Sequence, residues 1–88
     1  MTAAEMHGIS RALSDPRRFD ILKRIASQNC AACAELRDEF PITAATLSHH
    51  LKELESCGLV QAETAGEVYR CDVSPRCLKT YLKELKNI

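Results

Sequence analysis

The chain has no excess charge of either sign: 12 lysines and arginines stand against 12 aspartates and glutamates in 88 residues. The overall basic coat usual for a nucleic-acid-binding surface is missing, so any such binding has to come from local patterning. Glycine is scarce as well. Gly8, Gly58 and Gly66 are scattered, which excludes a glycine-rich loop that could cradle a phosphate. No apolar run approaches the roughly 20 residues needed to span a bilayer. His7, His49 and His50 have no convincing nucleophile partner, and no catalytic constellation emerges. There is no internal repeat, low-complexity segment or linker, so residues 1–88 are expected to form one small domain with a modest core. Cysteine is the exception to this scarcity, with five copies. Their odd number excludes a complete intrachain disulfide framework. With no signal-peptide pattern, the thiols point to the reducing cytoplasm.

The most informative stretch is Pro41-Ile42-Thr43-Ala44-Ala45-Thr46-Leu47-Ser48-His49-His50-Leu51-Lys52-Glu53-Leu54. Leu47, Leu51 and Leu54 recur at helical spacing and form one narrow apolar stripe. Ser48, His49 and Lys52 fall off that stripe, beside small Ala44 and Ala45. No acid occurs from Thr43 through Lys52. A first turn of small and hydroxyl residues can approach a phosphate backbone closely, and its free N–H groups favour anions. The stretch reads as the recognition helix of a helix-turn-helix, capped by Thr43.

The remaining elements follow in order. Residues 3–13 predict an amphipathic helix carrying Met6, Ile9 and Leu13, weakened by Gly8. Asp15-Pro16 restarts the chain as a second helix to about Ser27. Phe19, Leu22, Ile25 and Ala26 are its expected inward stripe, flanked by Ile21, with Arg17, Arg18, Lys23 and Arg24 solvated. After a connection at Gln28-Asn29-Cys30, a third helix is expected from about Ala31 to Glu39, anchored by Leu36 and Phe40 and ended by Pro41. Gly58 suits the left-handed position that closes the recognition helix, with Leu59 folding back on Leu54. Leu59–Glu63 and Val68–Val73 predict two strands around a turn at residues 64–67, with Tyr69, Cys71 and Val73 on one face. Ser74-Pro75 starts a last helix with a stripe of Leu78, Tyr81, Leu82 and Leu85, and Cys77 and Ile88 at its edges. The fold class is mainly α with a small β-hairpin, in the order α-α-α-α-β-β-α. The apolar faces of the terminal helices exceed what the central elements can cover, which predicts a homodimer through Met6, Ile9, Leu13, Leu78, Tyr81, Leu82 and Leu85.

Three segments carry a resemblance: Ala12-Leu13-Ser14-Asp15-Pro16-Arg17-Arg18-Phe19-Asp20-Ile21-Leu22, then Thr46-Leu47-Ser48-His49-His50-Leu51-Lys52-Glu53-Leu54, then Cys57-Gly58-Leu59-Val60. In this order and spacing they resemble the ArsR/SmtB family of winged helix-turn-helix repressors, over nearly the whole chain. The resemblance implies a cytoplasmic homodimer, joined by its first and last helices, that binds an inverted-repeat operator in double-stranded DNA and leaves it when an inducer binds. It places the DNA-reading positions on Ala44, Ala45, Thr46, Ser48, His49 and His50. His49 stands where many members have Arg, which implies a weaker or different base preference. His50, beside the apolar stripe, reads equally as a packing residue. Members often have a basic wing tip, whereas this one is Glu63-Thr64-Ala65-Gly66-Glu67. Arg70 rather than the tip is then expected to carry any wing contact.

The resemblance is weakest for metal sensing. Metal-sensing members carry Cys-x-Cys in the third helix, and the corresponding positions here are Ala32 and Ala34. The pair present is Cys30-x-x-Cys33, whose spacing allows two sulfurs to meet one metal or metalloid or to form a disulfide. A trivalent arsenic centre takes three thiolates, so a third sulfur would be needed. These two are the candidate sensor thiols, at a helix start where the dipole favours thiolate. Cys57, Cys71 and Cys77 read as packing residues, Cys77 near the dimer seam. A thiol oxidoreductase using Cys30-x-x-Cys33 is disfavoured because helices, not a βαβ unit, flank the motif. Two alternatives stand beside the sensing repressor: a ligand-blind repressor of the same family, and a winged-helix protein-interaction module without DNA.

Overall fold

The computed structural model describes residues 1–27, 31–66 and 68–88, with backbone alone at Ala31 and Ala65. The elements are α1 (Ala3–Leu13), α2 (Pro16–Ser27), β1 (Ala31–Ala32), α3 (Cys33–Glu39), α4 (Ala44–Ser56), β2 (Val60–Ala65), β3 (Val68–Val73) and α5 (Pro75–Lys86).

Caps set most of these boundaries. Thr2 and Glu5 close α1 with a reciprocal capping box, at 3.1 and 2.9 Å. Asp15 accepts from the Arg18 N–H at 3.0 Å, ahead of Pro16 in the first position of α2. Thr43 accepts from the Thr46 N–H at 3.1 Å, and Ser74 from the Cys77 N–H at 3.3 Å. Gly58 has a φ of 88°, the left-handed geometry that releases the chain from α4 into β2.

One core joins the elements. Ile9, Ile21, Ile25, Leu36, Leu54, Leu59 and Cys71 are its fully buried members, drawn from α1, α2, α3, α4, the α4–β2 turn and β3. Leu47 and Leu51 bury the inner stripe of α4. A hydrogen bond between Ser10 Oγ and Tyr81 Oη, 2.9 Å long, ties α1 to α5.

Several expectations are corrected. The expected order of helices and hairpin holds, but among the described residues the hairpin gains a third strand, in the order β1-β3-β2: the two residues of β1 pair antiparallel with β3, Ala31 opposite Cys71 and Ala32 opposite Arg70. The third helix therefore starts at Cys33, not Ala31. The hairpin is longer at its tip, with β2 reaching Ala65 opposite Val68. In α2, Ile21 is on the buried stripe with Leu22 and Ile25, while Phe19 and Ala26 are exposed. Arg18 and Arg24 are not solvated. Arg24 forms a bidentate pair with Glu39 and lies 3.6 Å from Glu35, locking α2 to α3. Arg18 reaches Glu53 of α4 at 3.9 Å. Ile9 and Tyr81, expected at a dimer face, belong to the protomer's own core. The Gln28-Asn29-Cys30 connection and Glu67 lie outside the described residues.

Candidate nucleic-acid interface

The outer face of α4 is built as its sequence requires. Its buried stripe fixes the rotation of the helix, and that rotation leaves Ala44, Ala45, Thr46, Ser48, His49 and Lys52 exposed together. Thr43, also exposed, spends its hydroxyl on the cap and on a 2.9 Å hydrogen bond to Thr46 Oγ1. The first turn holds no acidic residue. Two acids follow Lys52, and both are engaged at the far end of the helix. Glu53 faces Arg18, and Glu55 accepts from the Tyr69 hydroxyl at 3.1 Å. Burial and the Glu55 carboxylate push the Tyr69 phenol up to about 12, so it remains a donor at any working pH. The result is an anion-tolerant half-helix whose first-turn N–H groups point toward its N-terminal end, the Thr46 N–H being taken by the Thr43 cap.

His50 does not belong to this face. Only 8% of it is accessible, and among the described residues its Nδ1 has no hydrogen-bond partner. It lies one turn from Leu47 and Leu54, on the packing side of α4. Burial lowers its affinity for a proton, and Arg18, His49 and Arg17 add to this against the pull of the Asp15 carboxylate. The folded chain therefore holds a neutral imidazole where the unfolded chain takes up a proton near the ordinary value of 6.5. The stability contributed by neutral His50 is full above that value and is lost as pH falls through it, until the folded imidazole protonates too. Urea midpoints at pH 7 and pH 5 should accordingly fall more for the wild type than for His50→Gln. Equal falls in both proteins would remove His50 as the source.

A groove of about 320 Å³ runs beside α4, between α3 and β3. Cys33, Arg37, Ser48, Lys52 and Tyr69 line it. Arg37 was not singled out in the sequence. Its signal was its place directly after the anchor Leu36, which turns it out of the core and toward the exposed face of α4. On the wing, Arg70 stands opposite Glu63 in the strand pairing, with Asp72 two residues along the same strand. Gln61, Glu63, Arg70 and Asp72 line one shallow concavity, so two carboxylates accompany the wing's cation.

The remaining expected residues divide between core and surface. Met6, Leu13 and Leu78 are half-buried against the core, whereas Leu82 and Leu85 on α5, and Ile88 beyond its end, are exposed. Cys77 is half-buried against the core, its Sγ 3.4 Å from where a side chain on Gly58 would begin. Cys57 donates from Sγ to the Leu54 carbonyl at 3.3 Å.

Cys33 has a sulfur neighbour, Cys71 Sγ at 3.7 Å, while Cys30 lies outside the described residues. Burial pushes the Cys33 thiol up, against the smaller opposing effect of its hydrogen bond with Cys71. Among the described residues, no three His, Cys, Asp or Glu side chains are grouped to hold a metal ion. Two sulfurs do not complete the three-thiolate set of trivalent arsenic or a four-ligand zinc site.

A family model described as a helix-turn-helix domain matches residues 13–63. The arsenical resistance operon repressor of Staphylococcus xylosus is 36% identical over 66 residues, which are 75% of this chain and 62% of that protein. The chain thus spans less than two thirds of that relative's length. The arsenical resistance operon repressor of Staphylococcus aureus is 30% identical over 88 residues, all of this chain and 84% of its own length. Among solved structures, an ArsR-like transcriptional regulator from Rhodococcus sp. RHA1 superposes with a TM-score of 0.87 at 26% identity, covering 96% of this chain and 78% of the other.

Proposed function

Because the chain belongs to the ArsR/SmtB family of winged helix-turn-helix regulators, we propose that it is a homodimeric repressor that grips an inverted repeat in double-stranded DNA. The observation that carries this reading is the acid-free, exposed first half of α4, set on a buried leucine stripe that holds it rigidly. In a two-fold dimer, two such helices enter successive major grooves about one helical turn apart. Ser48 and His49 read base edges. Ala44 and Ala45 allow close approach, Thr43 and Thr46 present the helix start, and Lys52 and Arg37 meet phosphate. Arg70 is the wing's cationic contact, tempered by Glu63 and Asp72. His50 supports the helix from behind.

The work of a repressor places the protein in the cytoplasm, where the regulated genes lie. Among the described residues no helix is long and apolar enough to cross a membrane. The named relatives are arsenical resistance repressors, and the signal here is read as one directed at thiols, with Cys33 as its described receptor. A family member blind to any ligand is the second reading: among the described residues, no three metal-ligating side chains are grouped.

Selection from a pool of random duplexes, followed by footprinting, tests the proposal. An inverted repeat should be enriched. Ser48→Ala and His49→Ala should change which bases are preferred. Lys52→Ala should weaken all sites alike and reduce the slope of log affinity against log salt by about 1 per protomer. Failure to enrich any duplex would replace the repressor with a protein-binding winged helix.

A further inference from the structure

We propose that Cys33 and Cys71 are a redox-active thiol pair, and that closing them into a disulfide loosens the protein's hold on DNA. Their sulfurs lie 3.7 Å apart although 38 residues separate them in the chain. Backbone topology enforces this proximity. Ala31 of β1 pairs with Cys71 of β3, and Cys33 begins α3 two residues later. A disulfide needs the sulfurs at about 2.05 Å, so the pair has to close by roughly 1.7 Å.

The two thiols differ in access, and this sets the order of the chemistry. Cys71 is fully buried, whereas Cys33 is half-buried and lines the groove beside Ser48 and Lys52. The co-reactant is a hydroperoxide. The Cys33 sulfur attacks its outer oxygen, the O–O bond breaks, and Cys33 becomes a sulfenic acid while an alcohol or water leaves. The Cys71 sulfur then attacks the Cys33 sulfur. The S–O bond breaks, the S–S bond forms, and the hydroxyl leaves as water with the proton from Cys71. Two thiols are oxidised by two electrons, and one peroxide bond is reduced. Burial raises the Cys33 thiol, which makes the thiolate scarcer and slows its attack on peroxide.

The elements joined by this bond give it leverage. β3 is the central strand of the sheet, flanked on both sides. α3 is a seven-residue helix whose far end is held to α2 by the Arg24–Glu39 pair. Drawing its Cys33 end toward a fixed strand tilts α3 about that pinned end. α3 carries Arg37 and the core anchor Leu36, so the tilt reaches the face of α4 that meets DNA. This consequence rests on the DNA-binding reading above, whereas the bond itself does not.

The experiment treats the full-length reduced protein with tert-butyl hydroperoxide and then applies non-reducing peptide mapping and operator titration. A Cys33–Cys71 cross-link is expected, with operator affinity lower by about tenfold or more and restored by dithiothreitol. Cys33→Ser should fold, form no such link and keep its affinity in peroxide. A Cys30→Ser/Cys57→Ser/Cys77→Ser variant should still link and still lose affinity, and it avoids altering the buried Cys71. Mapping to Cys30–Cys33 or any other pair, no link in the triple variant, or a linked protein that binds as tightly as the reduced one would overturn the proposal. If the reduced protein binds no DNA, the repressor reading fails, while the peptide map still decides the bond.

Discussion

Placing aspartate at both Leu82 and Leu85 should turn the protein into a monomer and cost at least about a hundredfold in affinity for the full operator, because the second half-site is no longer bound by a tethered partner. α5 shows why these two positions are chosen. Its inward face is spent within the protomer: Tyr81 is buried and hydrogen-bonded to Ser10, and Leu78 packs on the core. Leu82 and Leu85 leave that face, with 54% and 39% of their surface open, and Ile88 beyond them is fully open. Charges introduced there remain hydrated in a monomer but would be stripped of water in a paired interface, a cost of several kcal/mol per buried ion. The protomer core, including Ile9, is untouched, so helix content by circular dichroism should persist. Sedimentation at micromolar concentration and operator titration together decide the matter. A variant that stayed dimeric, or a monomer that bound the whole operator as tightly as wild type, would remove α5 as the dimer face.

Local chemistry made most of the fold legible. Asp15-Pro16, Thr43, Ser74-Pro75 and Gly58 each mark a boundary because a cap, a fixed φ or a left-handed residue acts within a few residues of itself. What depended on tertiary contact was not legible. Ala31-Ala32 has no strand signature of its own and becomes one only because β3 offers it an edge. Arg24 looks like a surface cation until α3 brings Glu39 and Glu35 alongside. Phe19 has the greater apolar surface, yet Ile21 took the buried position, and Phe19 lies outside under the Lys23 ammonium, 5.2 Å from its ring centre.

The candidate site divides in the same way. The exposed face of α4 could be read from the leucine period. His50 could have been placed inward by the same rule, since it stands one turn from both Leu47 and Leu54. The sulfur pair could not be read, because Cys33 was matched by spacing to Cys30, while the sheet brings it to Cys71.

Ala45→Glu separates folding from DNA binding more cleanly than any truncation. Ala45 sits exposed in the first turn of α4, which lacks an acid. A carboxylate there meets the positive end of the helix dipole, a favourable contact of about 0.3–1 kcal/mol. Its side chain enters solvent rather than the core, so thermal stability should hold or rise slightly. On the proposed reading the same carboxylate would face DNA phosphates, and it replaces a methyl group with a longer, charged side chain. At roughly 1.4 kcal/mol of repulsion per protomer, each helix loses about tenfold and the dimer about a hundredfold. Ala45→Gln supplies the bulk without the charge, so it should lose less, and the gap between the two should shrink as salt screens the repulsion. Melting curves and operator titrations at two salt concentrations measure these effects. If Ala45→Glu bound its operator as well as wild type, the first turn of α4 would not approach the phosphate backbone. If instead it melted well below wild type, Ala45 would be a packing residue, contrary to its exposure.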